Sequence, residues 1–309
     1  MTALKFNFMM SIAILVLMLH MPLVSDSTGS AKSETDWYDE KLNQGIEAFY
    51  QTDWDRANSI FEEIKNRHPD DPRPYFFESM MPFLEYFFIE QSGELANDFL
   101  DKSEKAVELS HQKLEKQSSD TTMVLMLSGL YGYRGLVAAG QGEHRIALQS
   151  GLKGFNYTRK LLSIDSNRPD ARIGKGMFYY MVGSVPSGMK WATNIFGFSA
   201  DIEDGFAELK IAANSNSYIS NDAKMMLMYL YEKEGRLGDA LYYANDLTNT
   251  LPDNVIFLFK KAEILENLGN REDAIDVYKS IITHNNTNLD LITVKSRKKI
   301  TELEKITLK

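Results

Sequence analysis

Five histidines, two glycine-flanked loops and several acidic pairs are the residues with which this chain could do chemistry, and their spacing decides what each can do. His20, His68, His111, His144 and His284 are dispersed, so no two meet at the three- or four-residue step by which a helix presents paired zinc ligands. His68 precedes Pro69 and His284 precedes Asn285, at expected helix ends where the dipole favours an imidazolium. Cysteine is absent, which removes thiolate nucleophiles, thiolate metal sites, disulfides and a lipidated N-terminal cysteine. Gly183-Ser-Val-Pro-Ser-Gly188 surrounds serine with glycine, but it is not G-x-S-x-G, and no strand precedes it to build a nucleophile elbow. Gly174-Lys-Gly176 lacks the upstream glycine and the following Ser/Thr of a phosphate loop. Glu62-Glu63 and Asp201/Asp204 fall on helix surfaces or first turns. The residues therefore predict a protein that is not an enzyme, with no catalytic residues, no metal site and no cofactor.

The bulk properties narrow the partner. The 309 residues carry a net charge of −9, and 44% are apolar and 25% charged, the composition of a globular chain with a sizeable core. An excess of acid opposes attraction to a phosphate backbone. The one basic run, Lys295-Ser-Arg-Lys-Lys299, reads as the solvated face of a last helix, so no nucleic-acid partner is expected.

At the N-terminus Lys5 precedes the apolar run Phe8 to Leu19, His20 and Pro22 end it, and the small polar stretch Ser25 to Ala31 follows. These are the three parts of a secretory signal, with cleavage predicted between Ser25 and Ala31. The alternative is an uncleaved anchor over residues 6–24, close to the roughly 20 apolar residues a span requires. Either reading exports the rest of the chain, to the periplasm or beyond, and the second associates it with the membrane.

Beyond residue 31 the pattern is helical and repeated. Asp222 to Ala240 aligns with Ile256 to Ala274: Gly235 and Gly269, Asp239 and Asp273, and Ala240 and Ala274 each stand 34 residues apart, the period of the tetratricopeptide repeat. Each glycine ends a first helix in the left-handed conformation. An acidic turn then opens a second helix, whose small alanine admits its partner closely. Gly45, Ala57, Phe61 and Pro69 form an N-terminal copy in which Gln51-Thr52 replaces the glycine turn.

The middle, about 72–215, is helical with a longer period. Pro74 to Phe88 is apolar on every side, which predicts an inner helix kinked at Pro82. Glu94 to Leu114 is its amphipathic partner, and Asp120 caps the next helix. Gly129, Gly132 and Gly135, then Gly151 and Gly154, line helix faces for close backbone approach at about 1 kcal/mol of lost propensity each.

The runs Gly129-Leu-Tyr-Gly-Tyr-Arg-Gly135, Ala171 to Pro186, Trp191 to Asp201 and Gly205 to Ala213 resemble bacterial relatives of the tetratricopeptide repeat protein 39 family, which also includes yeast inclusion-body and lipid-droplet clearance proteins. The resemblance covers roughly 120–215. It implies an all-helical repeat scaffold without assigned catalytic residues. This chain differs from the eukaryotic members in its secretory N-terminus and shorter length.

The expected fold is all-α, a right-handed superhelical solenoid of tetratricopeptide hairpins: regular repeats near 38–71, 221–254 and 255–288, divergent long helices over 72–215, a helix-breaking insertion near 183–201, and a capping helix over 289–309. First helices line the concave groove of such an array. The candidate groove residues are therefore Met225, Tyr229, Glu232, Lys233, Phe259, Lys260, Glu263 and Asn267, a set rich in adaptable apolar side chains that suits a protein or peptide partner. Met189, Trp191, Phe196 and Phe198 are a second candidate, folded back as a plug or displayed to a partner. The predicted function is an exported, non-catalytic scaffold holding a protein partner in its groove. The alternative is a carrier for a lipid-like apolar ligand in a cavity beneath the 183–201 insertion and the Tyr75–Phe88 helix.

Overall fold

A computed structural model describes residues 34–184, 200–216, 219–284 and 289–307; the N-terminal signal or anchor and Met189, Trp191, Phe196 and Phe198 lie outside them. All regular structure among the described residues is α-helical. The helices are α1 (Glu34–Tyr50), α2 (Trp54–Arg67), α3 (Pro72–Phe88), α4 (Gly93–Lys116), α5 (Thr121–Gly140), α6 (His144–Ile164), α7 (Pro169–Gly183), α8 (Ile202–Ala213), α9 (Ser220–Lys233), α10 (Leu237–Thr250), α11 (Val255–Asn267), α12 (Arg271–Thr283) and α13 (Asp290–Thr307). They pack as successive hairpins, α1 with α2 through α11 with α12, and α13 covers the end.

One device builds these hairpins. Each second helix has a small residue at its fourth position, Ala57, Ala96, Ala147, Gly205, Ala240 and Ala274, and all six are buried. A larger side chain there would hold the first helix away, at the cost of packing on both. At Gly205 the helices approach backbone to backbone: a β-carbon would meet the Tyr180 nitrogen at 2.7 Å and the Gly176 oxygen at 2.8 Å. Gly154 likewise lies against the Ser128 oxygen and the Gly132 nitrogen, and Gly135 against the Ala147 oxygen, so the glycine faces of α5 and α6 meet each other.

Four of the turns are the same. Gly142, Gly235 and Gly269 have φ of +79°, +72° and +83°, and Thr52 takes +57° at the matching place. At each, the next residue's N–H reaches back into the last turn of the first helix, as in Arg236 to Tyr231 and Asn270 to Leu265, the Schellman arrangement. The α5–α6 pair therefore repeats the motif of the regular units, with Gly142 ahead of Ala147 as Gly235 is ahead of Ala240.

A β-branched residue resists the left-handed region, so Thr52 must be held there by its neighbours. It is fully buried; its hydroxyl lies 3.3 Å from the Asp253 carbonyl and accepts from the Val255 N–H at 3.3 Å. Beside it Asn254 caps α11 by accepting from the Phe257 N–H (2.9 Å) and donates to the Tyr50 carbonyl at 2.8 Å. The first hairpin thus docks onto the start of the last one, and the array closes on itself.

The helix that fills the closure is α3. Its rings meet Phe49 on α1 (Phe77, 5.3 Å), Phe61 on α2 (Phe77, 5.7 Å), Phe99 on α4 (Phe83, 5.2 Å), Tyr133 on α5 (Phe83, 4.6 Å), Tyr229 on α9 (Phe87, 4.1 Å) and Phe257 on α11 (Phe88, 6.5 Å). Lys295 on α13 pairs with Glu90 at 2.7 Å and donates to the Ile89 carbonyl. The inner helix expected from the sequence is present, with Pro82 inside it.

Asn254→Ala removes a cap and a cross-array bond together and is expected to lower the unfolding free energy by about 2–3 kcal/mol. Ser92→Ala, which removes only the cap bond to the Leu95 N–H, is expected to cost about 1 kcal/mol. Urea denaturation of both variants checks the difference.

Candidate binding chamber and surface cleft

Of the eight residues expected to line an open groove, six are packed or paired within the protein and two, Lys233 and Asn267, are exposed. Met225 and Phe259 are buried, Tyr229 is half-buried against Phe87, and Phe259 packs edge-on to Tyr278 at 5.6 Å. Lys260 is buried and pairs with Glu232 and Glu263, each at 2.8 Å. Burial opposes its charge, but the two carboxylates outweigh it and hold the ammonium above its ordinary pKa. Lys233 is exposed, 5.9 Å above the Tyr180 ring, and Asn267 is exposed at the end of α11. Met225 and Tyr229 thus cover part of the largely apolar α3. Of the charges expected at the groove rim, Lys260, Glu232 and Glu263 neutralise each other.

What remains of the concave space is a chamber roofed by α3. First helices and one cap line it: Phe49, Tyr50, Phe76, Phe77, Met80, Leu84, Tyr133, Asp222, Met225, Asn254 and Phe257. Only about 30 Å³ of it admits the centre of a water molecule. That is room for roughly two waters, not for an acyl chain. The cavity expected beneath 183–201 falls outside the described residues.

One carboxyl faces this space. Asp222 accepts from the Tyr50 hydroxyl at 2.9 Å, and no lysine, arginine or histidine lines the chamber. Burial pushes its pKa from 3.8 up to about 6, against the lowering effect of the Tyr50 bond. Burial and the nearby Asp222 also raise the Tyr133 hydroxyl. Sequence reading passed over Asp222, since its position in the first turn of a helix is an ordinary one for an acid.

A second space, about 410 Å³ and open to solvent, lies among His111 on α4, Tyr131 on α5, and Lys153, Asn156 and Tyr157 on α6. The Tyr131 and Tyr157 rings are parallel within 4° at 6.0 Å, and the Lys153 ammonium stands 5.2 Å over Tyr131. His111 bridges the two phenols, Nε2 at 3.0 Å from the Tyr131 oxygen and Nδ1 at 3.4 Å from that of Tyr157. Burial, then Lys153, lowers its pKa, so the ring is neutral near pH 7. Among the described residues no cluster of acids and histidines converges on a metal-sized site, and no helix is long and apolar enough to cross a membrane.

Two family models match: tetratricopeptide repeat over residues 42–71, and Iml2/Tetratricopeptide repeat protein 39 over residues 168–295. The chain carries a tetratricopeptide repeat and an Iml2/Tetratricopeptide repeat protein 39 domain over those residues. The tetratricopeptide model covers the α1–α2 hairpin, where Thr52 stands in for glycine, and the Iml2 domain runs from α7 into α13. Among solved structures the chain is similar to a tetratricopeptide repeat protein from Parabacteroides merdae at 14% identity, covering 86% of this chain and 88% of that one, with a TM-score of 0.37. It is similar also to the P58(IPK) TPR domain at 14% identity, 89% and 81% coverage and a TM-score of 0.30. No curated protein matches the chain significantly.

The raised Asp222 carboxyl makes stability depend on pH with a definite sign. The folded state keeps a proton that the unfolded chain has released between about pH 4 and 6. Stability is therefore full below pH 4 and falls as pH rises through 6. Asp222→Asn is expected to flatten this part of the profile and to raise the unfolding free energy at pH 7.5 by at most about 3 kcal/mol, measured by urea denaturation across pH.

Proposed function

We propose that the protein is a non-catalytic scaffold that acts outside the cytoplasm and holds a protein or peptide partner on its outer surface. The observation that carries this reading is the fate of its charged and aromatic groups. The tetratricopeptide hairpins use the interior ones to pack and pair with one another, and the cleft at Tyr131, Lys153 and Tyr157 stays open to solvent. Tetratricopeptide arrays are protein-binding modules, and aromatic and cationic side chains supply most binding energy at such contacts. The N-terminal apolar run after Lys5 supports export. The chamber roofed by α3 would have to expand severalfold to take an acyl chain, and the cavity of the lipid-carrier reading beneath 183–201 lies outside the described residues.

Crosslinking in intact cells that produce the full chain tests the proposal, with fractionation of the same cells. The expected result is an exported protein joined to a specific partner in stoichiometric amount. Recovery of the protein in the cytoplasm, or export with no partner crosslinked above a mock sample, would contradict it.

A further inference from the structure

Helix α6 differs from the rest of the molecule. In a chain of net charge −9, its residues His144–Ile164 include Arg145, Lys153, Arg159 and Lys160 and no acid. None of these four makes an ion pair among the described residues, although ion pairs elsewhere are common, as at Lys175 and Arg172 with Glu208. Arg145, Lys153 and Arg159 are exposed, and Lys160 reaches only the Ser118 carbonyl. Four unpaired cations along one helix therefore make a local positive field on an acidic protein.

The same helix exposes apolar surface. Of the exposed large hydrophobic residues, Ile146, Leu148 and Ile164 all belong to α6, each about half exposed. Helix α6 also lies off the main core: its buried Leu161 belongs to a small satellite cluster with Val124 and Ala171. The helix is free to serve a contact without disturbing the closed array.

We infer that the α6 face, centred on the cleft of Lys153, Asn156, Tyr131 and Tyr157, is the docking surface for an acidic protein segment that carries aromatic or aliphatic side chains among its acids. This rests on the scaffold reading and names the chemistry of its partner. An acidic side chain is seated by Lys153 and the Asn156 amide, with Arg159 and Lys160 farther along the helix for further acids. A ring or branched chain then lies on the parallel Tyr131 and Tyr157 faces. His111 fixes both phenols by its ring nitrogens, so the platform is ordered before anything binds, which lowers the entropic cost of association. The nearby acids are Glu143 and Asp165, which flank α6 at its two ends, and two on or beside α4: Glu104 is held by Arg134 at 3.2 Å, and Glu115 lies on the His111 side. A basic segment would face four unpaired cations. The built cleft, with an amide and stacked phenols, favours a peptide over a lipid surface, which asks only for charge and apolar area.

The probe is a synthetic peptide alternating glutamate with phenylalanine and leucine, titrated against the purified full-length protein by fluorescence anisotropy. Expected are saturable binding that weakens as salt is raised and loss of affinity of about tenfold or more in Lys153→Glu/Arg159→Glu. Both sites are exposed, so the thermal midpoint should not move; the milder Lys153→Gln should lose less. A lysine-for-glutamate peptide should not bind, nor should phosphatidylcholine vesicles containing phosphatidylglycerol. The inference is overturned if the charge-reversed variant binds the acidic peptide as wild type does, if the basic peptide binds equally, or if only the vesicles bind. Cell crosslinking separates the two levels: a partner still captured by the Lys153→Glu/Arg159→Glu protein refutes the α6 surface and leaves the scaffold standing.

Discussion

A helix whose apolar and aromatic side chains leave only the Glu78 and Glu85 side for solvent must be covered over most of its surface, and α3 imposes that demand on the whole chain. Phe76, Phe77, Phe83, Phe87 and Phe88 form one broad stripe, and Ser79, Pro82 and Tyr86 are buried beside it, so a single neighbouring hairpin shields only part of the helix. The array meets the demand by curling until its first and last hairpins meet around α3. The bonds at Tyr50, Thr52 and Asn254 sit where the ends come together. They are few and individually modest, so they fix the register of a closure that apolar burial drives.

The local parts of this account were legible in the sequence. The 34-residue spacing of Gly235–Ala240 and Gly269–Ala274, the largely apolar stretch ending at Phe88 and the cap at Asp120 each report a short-range requirement of turn, burial or hydrogen bonding. Asp120 accepts from the Thr122 and Met123 N–H groups as a cap should. Asp201 forms a capping box with Asp204, which explains that acidic pair without chemistry. Gly142 followed by Ala147 carries the same signal as Gly235 followed by Ala240, and the long helices around it hid it. Closure was not legible, because it depends on the small rotations added at each hairpin. The groove residues consequently looked available: Met225 and Lys260 occupy ordinary first-helix positions, and nothing local marks them as facing α3.

This architecture also decides where function can lie. A tetratricopeptide array commonly offers a partner its concave side, yet here the concave side holds α3 and a chamber for a pair of waters. The chemistry that stays available is on the outside, chiefly where α4, α5 and α6 depend on thin satellite cores of Ala106, Met123 and Leu130 or Val124 and Leu161. Packing and display are thus divided between regions of one chain. The hairpins around α3 hold the structure, and the hairpin that carries α6 presents unpaired cations and uncovered side chains.

The central claim is the closure around α3, and the absence of native cysteine allows a clean test of it. Glu90→Cys and Lys295→Cys replace an ion pair of 2.7 Å that joins the end of α3 to the last helix. With a short bifunctional thiol reagent the double variant is predicted to give an intramolecular crosslink in the monomer, at a rate independent of protein concentration. A monomer with no crosslink, or crosslinks only between molecules, would show an open array and contradict the account.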